Sequence, residues 1–166
     1  QAAALSGGVV QMANDNCPGQ TVISGDDHSL DLAMDLARQA GAKKVVRLAV
    51  SIAAHSPLMA PAAAALRRAI EDTPIHPPAV PVIGNVHARP LLTVDAIRAD
   101  LASQLTAPVR WTESMRYLTG QGVGLVVEVG SGDVLANLMK RLERSVDRLA
   151  VGDPDGIERL RAMAQG

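Results

Sequence analysis

Phenylalanine is absent from this 166-residue chain, which also carries only one Tyr and one Trp. Stacking platforms for nucleobases are built from such rings and are nearly unavailable to it. A core has to be assembled from Ala, Leu, Val, Ile and Met, through many small dispersion contacts. The single cysteine, Cys17, rules out an internal disulfide and a cysteine cage for zinc, and His28, His55, His76 and His87 fall at no metal-ligand spacing. Neither sign of charge is in excess: 16 Lys plus Arg against 17 Asp plus Glu leave a net charge of -1. No basic cluster gives the electrostatic footprint of a nucleic-acid binder. No apolar run approaches the roughly 18 residues that span a bilayer, and no basic start followed by an apolar stretch marks a leader. The expectation is a cytoplasmic protein with no metal and no cofactor, touching neither nucleic acid nor membrane.

What is present is 48% hydrophobic and 20% charged, enough for one compact core or for part of a larger one. The chain opens on Gln1 and an Ala-rich stretch to Leu5 that reads as the tail of a helix, so its beginning is expected to be cut from something longer. Gly7-Gly8 ends that stretch, Val9 to Ala13 reads as a strand, and Asn14 to Gly19 as a polar turn before a second strand, Gln20 to Ser24. Asp26 and Asp27 cap a helix with Leu30, Ala33, Met34 and Ala37 on one face, stopped by Gly41. Val45 to Val50 has the pattern of a buried strand, and Ser51 to Ser56 is a run of small residues. A helix starting at Pro57 or Leu58 and ending near Asp72 puts Met59, Ala62, Ala63, Leu66 and Ile70 on one side.

Prolines 74, 77 and 78 make a connector to Val80-Pro81-Val82-Ile83, where Pro81 argues for an edge or short strand. Asn85 to Leu92 reads as loop and Thr93 to Leu105 as helix. Pro108 separates this from a helix holding Trp111, Met115 and Leu118 and closed by Gly120. Gly124 to Val129 is the clearest strand, followed by the turn Gly130-Ser131-Gly132 and a helix with Val134, Leu135, Leu138 and Leu142. A weak strand from Leu149 to Val151 and a short helix with Ile157 and Leu160 end the pattern. Strands alternating with helices of this length mean an α/β class.

Three segments carry candidate chemistry. Glu128-Val129-Gly130-Ser131-Gly132-Asp133 resembles the start of a dinucleotide or methyl-donor site, but Leu135 stands where a third Gly belongs and only some 30 residues follow, so a tight strand-to-helix turn is the better reading. His55 sits between small residues and a Pro-started helix; such a ring either is a hydrogen-bonded structural group or serves as a general acid and base. Ser56 and Cys17 are weak nucleophile candidates: Ser56 adjoins His55, and adjacent residues on one backbone seldom hold their side chains in attack geometry, while Cys17 has no neighbouring base or cation in sequence to activate it. Asn14 to Gln20 reads as an Asx-rich turn.

Taken in order, Ala13-Asn14-Asp15-Asn16-Cys17-Pro18-Gly19-Gln20, His55-Ser56-Pro57-Leu58-Met59, Gly84-Asn85-Val86, Gln104-Leu105 with Pro108 to Ser114, and Glu128 to Leu135 resemble the malonyl-CoA:acyl carrier protein transacylases and related acyltransferase domains of fatty-acid and polyketide synthases. The resemblance implies a ping-pong acyl transfer in which a Ser on a Gly-His-Ser-x-Gly elbow attacks the thioester and a His is its base. His55 matches that His, and Gln104 matches the residue whose main-chain carbonyl orients it. Asn14, Gln20 and Val134 match residues lining the acyl pocket, and Ala54 stands where Phe or Ser precedes the His. No Gly-His-Ser-x-Gly occurs in the chain, which therefore resembles the C-terminal half of such enzymes.

The implied fold is α/β: residues 1–48 as an incomplete ferredoxin-like subdomain and residues 49–166 as the C-terminal part of an α/β-hydrolase-like acyltransferase core. Implied partners are malonyl-CoA, acyl carrier protein and the missing N-terminal half of the same enzyme. Exposed sheet edges and apolar faces are expected where that half would pack. Two other readings remain: a non-catalytic module that binds acyl carrier protein or a synthase partner, and a hydrolase using Ser56 or Cys17.

Overall fold

The computed structural model describes residues 1–165. A five-residue helix α1 (Ala2–Ser6), stopped by Gly7, leads into the antiparallel hairpin of β1 (Val10–Cys17) and β2 (Gln20–Gly25). The expected polar turn is mostly strand: Asn14 to Cys17 belong to β1, and only Pro18 and Gly19 turn the chain. Two register shifts, after Met12 and after Asp15, absorb the extra residues without breaking the pairing. Proline fixes one φ of the turn and Gly19 takes the positive φ of the other, +78°.

Helix α2 (Asp27–Gln39) follows at once. Asp26 caps it by accepting from the Ser29 amide at 2.8 Å, and also accepts from the Val9 amide and the Ser29 hydroxyl. These three hydrogen bonds, the Ser29 amide first, pull its carboxyl from the ordinary 3.8 down to about 2.

Beyond α2 the expectation of a strand over Val45–Val50 fails. Residues 42–54 have no regular structure, and Val46, Leu48, Val50 and Ile52 are all more than half exposed. A β-strand is stabilised by a neighbour's backbone, and among the described residues none lies beside this segment. Apolar pattern alone therefore leaves it extended but unpaired.

A 3₁₀ turn at Pro57–Met59, capped by Ser56, opens into α3 (Ala60–Asp72), which packs on α4 (Val94–Ser103). Arg98 of α4 donates to the carbonyls of Ile70 and Thr73, satisfying the end of α3. Between these helices, β3 (Val82–Ile83) and β4 (Pro90–Leu91) form a minimal hairpin. The expected loop over Asn85–Leu92 thus contains a strand, too short and too proline-bound to show a period. Gly84 is required in it, because a Cβ there would lie 2.5 Å from Asp100 Oδ1.

The C-terminal region is a β-α-β unit: β5 (Leu125–Val129), α6 (Val134–Leu142) and β6 (Asp147–Val151), with β5 and β6 parallel and in register from Leu125–Asp147 to Val129–Val151. Strand β6 starts two residues before the expected Leu149, and α7 (Pro154–Ala164) packs back on it. The apolar cluster of Met115, Met139 and Val146, joined by Trp111, Leu118, Val126 and Leu142, sits between this unit and α5 (Trp111–Gly120). Helices α5 and α6 also pack on β1, so the hairpin and the C-terminal unit share one packed region. Among the described residues no helix is long and apolar enough to cross a membrane.

Candidate active site

Helix α4 ends at Ser103, and the residues after it would ordinarily continue or cap the helix. Pro108 prevents continuation: it has no N–H, so the Gln104 carbonyl, four residues earlier, has no helical donor. The next amide, Val109 N–H, donates instead to Ala13 of β1 at 2.8 Å, while Asp15 N–H donates back to the Val109 carbonyl at 3.0 Å. Residues 104–107 therefore form a turn with unclaimed carbonyls, pinned to β1 at its far end.

His55 faces this turn. Its backbone N–H donates to the Leu105 carbonyl at 2.9 Å, and its Nδ1 lies 3.0 Å from the Gln104 carbonyl and 3.1 Å from that of Ala107. Both neighbours of Nδ1 are carbonyl oxygens, which only accept. Nδ1 therefore carries the ring proton, and in the neutral imidazole Nε2 keeps its lone pair. This is the arrangement a triad carboxylate gives a catalytic His, built here from main chain. His55 also holds a left-handed backbone, φ +59°, an uncommon state for a residue with a Cβ that these contacts hold in place.

The side chains of the turn are secured as well. Gln104 Oε1 accepts from Asn85 Nδ2 at 3.3 Å, and the loop carrying Asn85 is fixed by Asp100, whose Oδ1 accepts from the Val86 amide at 3.1 Å. Asp100 is nearly buried on α4, one turn before Gln104.

Of the residues singled out from sequence, the fold brings His55, Ala54 and the Gln104 carbonyl together. Asn14 lies on β1, the strand to which the 104–109 segment is bridged. Gln20 starts β2 at the tip of the hairpin, where its Oε1 accepts from Arg141 Nη1 at 2.8 Å. Val134 opens α6 and is 66% exposed. Ser56 is fully buried: its hydroxyl donates to the Ala53 carbonyl at 2.7 Å and accepts from the Leu58 amide. Cys17 is buried, with its thiol 3.7 Å from Gln20 Oε1. Both act inside the fold, which leaves the hydrolase reading without an exposed nucleophile at either position.

The Gly130-Ser131-Gly132 turn behaves as the tighter of its two readings. The third amide of α6, Ala136 N–H, donates to the Glu128 carboxylate at 2.8 Å. A carboxylate thus already holds the place that a phosphate takes in nucleotide-binding loops. One residue that sequence reasoning passed over is Gln11, the polar residue in Val9-Val10-Gln11-Met12. Its Nε2 donates to the carbonyls of His55, at 2.5 Å, and Thr106, at 3.1 Å. Its polarity within an apolar strand was the sole local signal.

No family model matches the chain. It is 43% identical over 152 residues to the malonyl CoA-acyl carrier protein transacylase of Bacillus subtilis, an alignment that takes in 92% of this chain and 48% of that protein. The Escherichia coli K12 protein of the same name is 39% identical over 154 residues, covering 93% of this chain and half of the other. Among solved structures, the acyl-carrier-protein S-malonyltransferase of Bartonella henselae superposes with a TM-score of 0.94 at 36% identity, over 99% of this chain and 53% of that one. A malonyl-transacylase solved in complex with a type II polyketide synthase acyl carrier protein gives 0.92 at 38% identity, over 99% of this chain and 53% of that one. The chain is thus a homologue of the malonyl CoA-acyl carrier protein transacylases, shares their fold over nearly all its length, and spans about half the length of the curated relatives it matches.

Proposed function

We propose that this chain forms the C-terminal, base-bearing half of a malonyl-CoA:acyl carrier protein transacylase working in the cytoplasm. The reading rests on one observation above the others: His55 Nδ1 is directed at two carbonyls, which leaves Nε2 as the acceptor in a chain homologous to transacylases. The serine nucleophile belongs to the remaining half. In the first half-reaction His55 Nε2 takes the serine proton as the hydroxyl attacks the malonyl thioester, and returns it to the departing CoA thiol. In the second, the phosphopantetheine thiol of acyl carrier protein gives its proton to His55 and attacks the acyl-serine. His55 then reprotonates the serine, so no proton or acyl group is unaccounted for.

Gln104 acts through its main-chain carbonyl, while Asn14, Gln20, Ala54 and Val134 line the acyl pocket once both halves are present. Residues 1–48 are read as the larger part of a ferredoxin-like subdomain and 49–166 as the C-terminal part of the acyltransferase core. The apolar side chains exposed over residues 46–52 suit burial against the N-terminal half, and the chain alone is inactive on this account.

The test is reconstitution. The chain is mixed with the complementary half of a relative such as the Bacillus subtilis enzyme, and malonyl transfer to acyl carrier protein is followed. Restored transfer is expected, and His55→Ala is expected to lower it about 10²- to 10⁴-fold. Unchanged turnover in that variant removes His55 from the mechanism. Binding of acyl carrier protein without any transfer would instead favour a non-catalytic module.

A further inference from the structure

Of four successive carbonyls in the turn, three meet His55 and the fourth meets Gln11. Those of Gln104 and Ala107 face His55 Nδ1, that of Leu105 accepts the His55 backbone N–H, and that of Thr106 accepts from Gln11 Nε2. Gln11 is the outlier, because it reaches from β1, and its amide also donates to the His55 carbonyl. A single NH₂ group thus joins the backbone that carries the imidazole to the turn that orients it.

We infer that Gln11 is a positioning residue that sets the tautomer and direction of the His55 ring. This deepens the proposed role of His55 and rests on it. The physical need is plain. His55 sits at φ +59°, and a left-handed peptide with a free carbonyl can rotate, carrying the ring away from its two acceptors. The Leu105 contact fixes the amide on one side of the residue, and Gln11 fixes the carbonyl on the other. With both ends held, the ring has its Nδ1–H shared between two oxygens. With one end loose, the two neutral tautomers come closer in energy and the Nε2 lone pair is no longer held in one direction. An amide NH₂ carries two donors and so satisfies two carbonyls at once; a carboxylate of the same shape would repel both.

The experiment uses the 166-residue chain with isotope-labelled histidine. Imidazole nitrogen NMR, recorded above the pH at which the ring titrates, reads the tautomer of His55 directly, with His55→Ala supplying the assignment. Gln11→Met keeps the length without donors, and Gln11→Glu keeps the shape with acceptors in their place. The unaltered chain is expected to show His55 as the Nδ1–H form, and both variants a mixture with a substantial Nε2–H fraction, while amide spectra away from residues 9–13, 53–57 and 103–109 stay unchanged. In the reconstituted enzyme the same variants are expected to lose about 10- to 100-fold in kcat with little change in KM for malonyl-CoA. A pure Nδ1–H form in both variants overturns the inference and leaves the His55 reading standing. An Nε2–H form in the unaltered chain, or full activity of His55→Ala, removes the His55 reading itself. Collapse of amide dispersion in both variants also overturns the inference, since Gln11 would then be a folding residue.

Discussion

Leu125–Val129 and Val45–Val50 are similar apolar runs with opposite outcomes. The first pairs in parallel register with Asp147–Val151 and is covered by α6, which returns the chain to the same sheet. The second pairs with nothing among the described residues, and Val46, Leu48 and Val50 stand 58%, 54% and 70% exposed. Its polar tie to the fold is through Arg47, whose guanidinium meets Asp27 and Asp31 of α2 in exposed ion pairs of the kind that contribute little. The difference lies in what the chain supplies next. After β5 comes a crossover helix and then a second strand, so the parallel partner is delivered by the same polypeptide. After Val50 comes the small-residue run to His55 and then a helix, and among the described residues no strand returns to pair with it. A strand is a property of a pair, and only one of these two runs has its pair.

The contrast can be broken at its strong end first. Met139 is completely buried in the cluster between α5 and the β5–α6–β6 unit. Met139→Ala is expected to cost about 2–5 kcal/mol in urea unfolding, the range for emptying a packed site. An effect below about 1 kcal/mol would mean that this unit is no better packed than the exposed segment.

Between the two extremes stands α2, whose start depends on Asp26. Its carboxyl is depressed to about 2 in the folded chain against 3.8 ordinarily, so its stabilisation is complete above the unfolded value and disappears as pH falls toward 2. Asp26→Asn is expected to lower the melting temperature at pH 7, with the gap from the unaltered chain closing on acidification through that window. A gap independent of pH would show that the charged form of the cap is not what matters.

The smallest effect is expected in the unpaired run. Leu48→Ser and Val50→Ser should each leave the stability of the isolated chain within about 0.5 kcal/mol, as for surface positions generally. The same variants should weaken reconstitution with a complementary half, which is where buried apolar area would be lost. A large loss of stability in the isolated chain would place this segment in the core.

Helices and turns were readable from sequence because their signals are local. Asp26, Thr93 and Asp153 stand at N-caps, and Gly7 and Gly41 stop helices with positive φ. The strands were readable only where their partner followed closely. The Asn14–Cys17 stretch looked like a turn because polar residues dominate it; pairing with β2 and the bridge from Asn14 to Val109 override that preference. His55 was visible in sequence as a motif; the Gln104 carbonyl was visible only through resemblance, and the Ala107 and Leu105 carbonyls that also meet His55 were not visible at all. The reason that Gln104's carbonyl is free could have been read from Pro108, but that the imidazole would fill it depends on a contact across 49 residues. Gln11 offered only its polarity within an apolar strand, because its two partners lie 44 and 95 residues away.

The central claim is that His55 serves as base for a nucleophile this chain does not carry. Its most direct test is the mass of the complementary, serine-bearing half of a relative, followed in time after malonyl-CoA is added. The measurement is made with that half alone, with this chain, and with its His55→Ala variant. One malonyl adduct forming at least about 100-fold faster with the unaltered chain than with the variant is the predicted result. Equal rates with chain and variant would contradict the account.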